Sequence, residues 1–115
     1  MKPQNSHQNL MQGVMSAAWQ VRREYGPGLP ESAYEFALIT ELRRRGIRAE
    51  RREMDKTVSV LVENCLLLGL RCVDRITSLH SKQLTGYLRK LRFRQGLLLN
   101  FNSTFIRQGI HPVSL

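Results

Sequence analysis

The stretch of this 115-residue chain with the most chemical potential runs from Arg71 to Arg107. There Arg71, Arg75, Lys82, Arg89, Lys90, Arg92, Arg94 and Arg107 are opposed only by Asp74, a local charge of +7. A guanidinium offers a planar fork of donors that matches phosphate, and arginines outnumber lysines fourteen to four over the whole chain. Phosphate recognition is the chemistry such a segment suits, and nucleic acid is the partner it points to. Between Arg22 and Glu53, by contrast, eight arginines face six glutamates and leave +2, so most of the formal +9 is C-terminal. The bland counterpart is a solvated basic face that serves solubility alone.

Other reactive side chains point away from metal and thiol chemistry. Cys65 and Cys72 stand seven positions apart in a segment that reads as a strand. At about 3.3 Å per residue they would lie roughly 23 Å apart on opposite faces, so they do not pair, and buried free thiols are expected. His7, His80 and His111 are scattered, and neither CxxC nor HxxxH occurs, which argues against a structural zinc site.

These groups need a frame. With 42% apolar and 23% charged residues and a mass of 13.3 kDa, one globular domain over residues 1–115 is expected, with 1–8 flexible. No apolar run is long enough to span a membrane, and Met1 to Gln12 resembles neither a signal nor a transit peptide, so a cytoplasmic location is expected. Leu10, Val14, Ala17, Ala18, Val21 and Tyr25 recur with helical period until Gly26-Pro27-Gly28. A second helix opens at Pro30 and Glu31, carries Tyr34, Ala37, Leu38, Glu41 and Leu42, and stops at Gly46. Ile47 to Arg52, Thr57 to Val62 and Cys65 to Cys72 read as a short antiparallel meander with a turn at Glu63-Asn64.

Thr77 or Ser78 can cap a third helix bearing Leu84, Tyr87, Leu88 and Leu91 on one face. A strand over Gln95 to Phe101 follows, then a turn at Asn102-Ser103 and a short strand near Phe105 to Arg107. The order ααβββαββ predicts a mixed α+β fold with helices covering a small central sheet.

On that frame Gly28, Glu31 and Tyr34 spell GxxExxY at the start of the second helix. Gly46-Ile47, Gln83-Leu84 with Tyr87-Leu88, and Gly96 to Phe101 as GLLLNF follow in order. The set resembles the GxxExxY family of the PD-(D/E)XK nuclease superfamily from about the first helix to the C-terminus. That resemblance implies a nuclease-like core with a mixed sheet. It also implies a site made of a helix glutamate, a strand aspartate, an E-x-K on the next strand and a Q-x-x-x-Y on the following helix. In such a site the carboxylates would hold Mg²⁺ beside the scissile phosphate, while the lysine would orient or activate water.

Carried onto this chain, Glu31 matches the helix glutamate, and Gln83 with Tyr87 match the Q-x-x-x-Y pair. The E-x-K position falls on Gly69 and Arg71, and the aspartate position falls on or near Ser59, in a chain shortened between Arg52 and Thr57 relative to the family. Two carboxylates are thereby replaced, so no catalytic residue and no cofactor are expected. Mg²⁺ enters only if Glu31 works with a displaced acid such as Glu63 or Asp74. The expected function is a catalytically degenerate nuclease fold that binds nucleic acid, DNA or RNA, through Arg71, Arg75, Lys82, Arg89, Lys90, Arg92 and Arg94.

Two other functions compete with it. One is a homodimer or accessory subunit whose cleft leucines have filled, and the other is a residual Mg²⁺ nuclease. Tyr87 also reads simply as core and Glu31 as a first-turn carboxylate that favours its helix terminus. Trp19 and His80 belong to no motif, and the few exposed aromatics suggest no stacking platform.

Overall fold

Apolar residues spaced three and four apart build two helices that precede the first strand along the chain. The computed structural model describes residues 7–115, so the expectation of a flexible start over 1–8 falls mainly outside the described residues. Helix α1 spans His7–Tyr25 and buries Val14, Ala17, Ala18 and Val21. Tyr25, counted with that periodic set, is instead half exposed at the helix end. Helix α2 spans Glu31–Arg44 and buries Tyr34, Leu38 and Leu42. Its end is closed by Ile47 N–H donating to Leu42 O and Gly46 N–H to Arg43 O, with Gly46 at φ +80°, the left-handed residue of a Schellman motif.

The meander follows as β1 (Ala49–Met54), β2 (Thr57–Val62) and β3 (Leu66–Arg71), each paired antiparallel with the next. The first strand begins two residues later than the pattern suggests, because Ile47 and Arg48 are taken up by the helix stop and the connection. Every residue of β3 is buried, as expected for a strand covered on both faces. Helix α3 (Ser78–Leu91) then carries the chain across the sheet, and β4 (Gln95–Asn100) returns parallel to β3. His80 finds its use here: its Nδ1 accepts the Thr77 backbone N–H at 2.9 Å, closing the first turn of α3.

The last segment departs from expectation. Phe105 to Arg107 is no strand. A 3₁₀ turn occupies Ile106–Gly109, and the fifth strand, β5, is Ile110–Ser114, antiparallel to β4. Pro112 discourages a strand reading there, yet β5 is an edge strand, where a missing N–H is tolerated.

The result is a mixed α+β fold whose five-stranded sheet runs β1-β2-β3-β4-β5. Helices α1 and α2 cover one face, packing Val14, Leu38 and Leu42 onto Val60, Leu68, Leu97 and Leu99. Helix α3 covers the other, packing Leu84, Tyr87 and Leu88 onto Leu61, Leu67 and Leu98. The two cysteines correct the opposite-face reading. Cys65 sits in the β2–β3 turn and Cys72 just past β3, and both pack against the α1–α2 side as half-buried free thiols. Burial pushes both thiols above the usual range, with Glu63 adding to the effect at Cys65 and Glu31 at Cys72.

Candidate functional site

The register of the β2–β3 hairpin decides what the site contains. Ser59 lies directly opposite Gly69, so the two positions matched to metal-holding carboxylates are cross-strand neighbours, where Cβ atoms stand about 5 Å apart. The same transverse row runs on to Arg52 in β1, Leu98 in β4 and His111 in β5. It holds no carboxylate. Ser59 is fully buried and its Oγ has no hydrogen-bond partner among the described residues. A Cβ on Gly69 would stand 3.1 Å from Leu98 Cδ2 and 3.4 Å from Leu84 Cδ1, so leucines lie over the position. Divalent hard cations need several oxygen ligands, and among the described residues no three His, Cys, Asp or Glu side chains gather to hold one.

Beyond the row, the sheet and two helix ends surround an open cavity of about 480 Å³ lined by Glu31, Glu35, Arg51, Lys56, Arg71 and Gln83, among others. Its carboxylates are engaged. Glu31 Oε2 accepts the Cys72 backbone N–H at 3.1 Å, joining the start of α2 to the exit of β3. Glu35, one turn later and buried, accepts from Arg51 Nε at 2.8 Å. Arg71 is 7% exposed, unlike the rest of the basic set; it donates to Leu70 O at 2.6 Å and to Gln83 Oε1 at 2.7 Å. The structure thus brings Arg71 and Gln83 together, but with the guanidinium held inside. Tyr87 turns into the leucine cluster at 5% exposure, its hydroxyl 3.4 Å from Met54 O, in line with the core reading.

Neither displaced acid reaches the row. Glu63 accepts the Arg48 N–H at 2.8 Å and lines a separate opening of about 590 Å³ with Arg43 and Arg48. Asp74 is exposed in the loop beyond β3.

The GxxExxY residues act on the backbone. Gly28 adopts φ +94°, a conformation costly for any residue with a Cβ. The Tyr34 hydroxyl donates to Gly26 O and accepts Leu29 N–H at 3.2 Å, while its ring stacks on Phe101 with centroids 4.6 Å apart. Together they fix the loop that aims Glu31 at β3.

The remaining cations are exposed and surround α3. Lys82 and Arg89 are two turns apart on its outer side, Arg75 precedes it, and Arg92 and Arg94 follow; a 14-residue helix is about 21 Å long. Lys90 is partly neutralised by Asp55 at 3.2 Å. Sequence reasoning passed over Glu35, Arg51 and Lys56, although Glu35 stands four residues after Glu31 and therefore on the same helix face.

A five-stranded mixed sheet, a parallel β3–β4 crossover through α3 and a helix glutamate directed at the exit of β3 define a nuclease-like fold. The profile of the PD-(D/E)XK nuclease superfamily matches residues 8–113, and the chain belongs to that superfamily. No curated protein and no solved structure matches it. No helix among the described residues is long and apolar enough to cross a membrane.

Proposed function

We propose that this chain is a GxxExxY-type member of the superfamily that has lost metal-dependent cleavage and binds nucleic acid through the outer side of α3. The observation that carries the first half is the Ser59–Gly69 pair, where neither residue supplies a carboxylate and leucines occupy the space above the glycine. The residues present do not fit a divalent cation, so no metal-assisted step is assigned. The second half rests on the exposed cations Arg75, Lys82, Arg89, Arg92 and Arg94. Arg71 supports the fold of the cleft from within and is left out of the binding surface.

Binding to labelled duplex and single-stranded oligonucleotides over a salt series tests both halves. Affinity should fall steeply with salt, and Lys82→Ala with Arg89→Ala should reduce the log–log slope by about 2 on duplex DNA. Mg²⁺ or Mn²⁺ should produce no cleavage. Absence of binding at low salt, or a slope unchanged in the double variant, would refute the α3 surface; cleavage abolished by Glu31→Ala would refute the loss of catalysis.

A second reading, an accessory subunit or homodimer, draws on Phe36 and Leu79, which are 75% and 74% exposed. A stable dimer indifferent to polyanions in sedimentation would favour it.

A further inference from the structure

Trp19 on α1 and Phe105 before the 3₁₀ turn are distant in sequence, yet both line one open cavity of about 460 Å³. They are 50% and 65% exposed, large apolar rings left in water; Tyr25 and Phe36 are exposed too, but they line a groove that carries Glu24 and Glu41. The charged part of the lining is cationic: Arg22, Arg23 and Arg107 contribute, and no carboxylate does. Glu24, the one acid of α1, lines a different groove against α2.

The two walls are fixed to each other. Arg22 donates from Nε to Phe101 O and from Nη2 to Ser103 O, each at 3.0 Å, which holds the loop carrying Phe105 against α1. The Arg23 guanidinium lies 5.1 Å from the Trp19 ring centroid, within cation–π range, and steadies the half-exposed indole. Arg23 and Arg107 are themselves exposed. The cavity lies on the α1–α2 side of the sheet, because Ile106 of its lining packs into that cluster, whereas α3 covers the opposite side.

Exposed aromatic rings beside arginines, in a cavity whose lining holds no carboxylate, are the elements of a base-stacking site: the rings take the π-face of any base, and the cations take the phosphates on either side. A duplex keeps its bases stacked internally and cannot offer them to Trp19. Against the sequence expectation of no stacking platform, we infer that the Trp19–Phe105 cavity binds single-stranded nucleic acid, with an unpaired base on the Trp19 and Phe105 rings and its phosphates on Arg23 and Arg107. The inference rests on the nucleic-acid reading for its class of ligand but not for its surface, which lies across the sheet from α3.

Trp19 is the only tryptophan, so its fluorescence reports on the surface around its ring, this cavity and the adjoining opening that it lines with Met15 and Ile110; the Phe105 variant tells the two apart. The full chain is titrated with an oligothymidylate of about 15 nucleotides, with a duplex of equal length and with base-free inorganic polyphosphate. Saturable quenching by oligothymidylate, but not by polyphosphate, is expected. Phe105→Ala, which keeps the reporter, and Trp19→Ala, followed by anisotropy of labelled oligonucleotide, should each weaken single-strand binding about tenfold and leave duplex affinity unchanged. Both rings are exposed, and an unchanged far-UV circular dichroism spectrum verifies that the variants fold.

No quenching, equal quenching by polyphosphate, or single-strand affinity unaltered in both variants would overturn the inference. The α3 reading fails separately, if Lys82→Ala with Arg89→Ala leaves duplex binding intact while oligothymidylate still quenches Trp19.

Discussion

At the scale of single residues, a motif built around a glutamate and a tyrosine proves to be work on the backbone. Tyr34 spends its hydroxyl on Gly26 O and Leu29 N–H and its ring on Phe101. Tyr34→Phe keeps the ring and leaves those backbone groups short of a partner, so a loss of about 1–2 kcal/mol is expected in urea unfolding. Ser59 and Gly69 yield the complementary prediction. Ser59→Asp with Gly69→Glu puts two carboxylates on the facing pair; a Cβ at position 69 already stands 3.1 Å from Leu98 Cδ2 and 3.4 Å from Leu84 Cδ1, so the longer glutamate displaces both leucines, beside Arg71 Nη1 at 3.7 Å. Without metal the pair should be less stable than the natural chain by at least about 1 kcal/mol, from like-charge repulsion and burial. Mg²⁺ at about a hundred times its dissociation constant should return about 2.7 kcal/mol. The natural chain should show no such gain, and a thermal midpoint that climbs with Mg²⁺ would contradict the proposed loss of metal ligands.

At the scale of elements, three connections carry ordinary side chains where glycine or asparagine is favoured, the β2–β3 turn with Glu63 at φ +50° among them. The β1–β2 turn places Asp55 at φ +51° and Lys56 at φ +65° between the paired Met54 and Thr57, a two-residue loop whose preferred sequence is Asn-Gly. Helix α3 ends in the same Schellman arrangement as α2, Phe93 N–H to Leu88 O and Arg92 N–H to Arg89 O, but with Arg92 at φ +62° in the place Gly46 fills for α2. Asp55→Asn with Lys56→Gly, and separately Arg92→Gly, should each add about 1 kcal/mol by relieving left-handed strain. Arg92→Gly also removes one cation beside α3, so a variant that is more stable yet binds duplex less tightly would separate folding from recognition. Equal or lower stability in both variants would show the strain to be absent.

At the scale of the whole molecule, one sheet serves two layers, with α1 and α2 on one face and α3 on the other. Neither layer keeps its apolar face covered if the strands separate, so unfolding should be a single cooperative transition. Denaturation followed by Trp19 fluorescence, which reports the α1 side, and by far-UV circular dichroism should give coincident curves. Separated midpoints would mean that the layers unfold independently. The split also places α3's cations and the Trp19 cavity on different sides, which lets binding at each be measured alone.

The sequence by itself determined the helices, the meander, the order of elements and the resemblance to the superfamily, because those depend on periodicity, turn chemistry and ordered motif blocks that are local to the chain. It also determined that Ser59 and Gly69 carry no carboxylate. What it could not determine is who meets whom. The pairing of Ser59 with Gly69, the burial of Arg71 behind Gln83, the contact of Glu31 with Cys72 N–H and the convergence of Trp19 and Phe105 on one cavity all bring together residues ten or more positions apart. The 3₁₀ turn at Ile106–Gly109 and the edge strand holding Pro112 were likewise hidden, because local preference there is overruled by packing against β4. Strand register and close packing settle such contacts, and both are properties of the folded chain that no local pattern encodes.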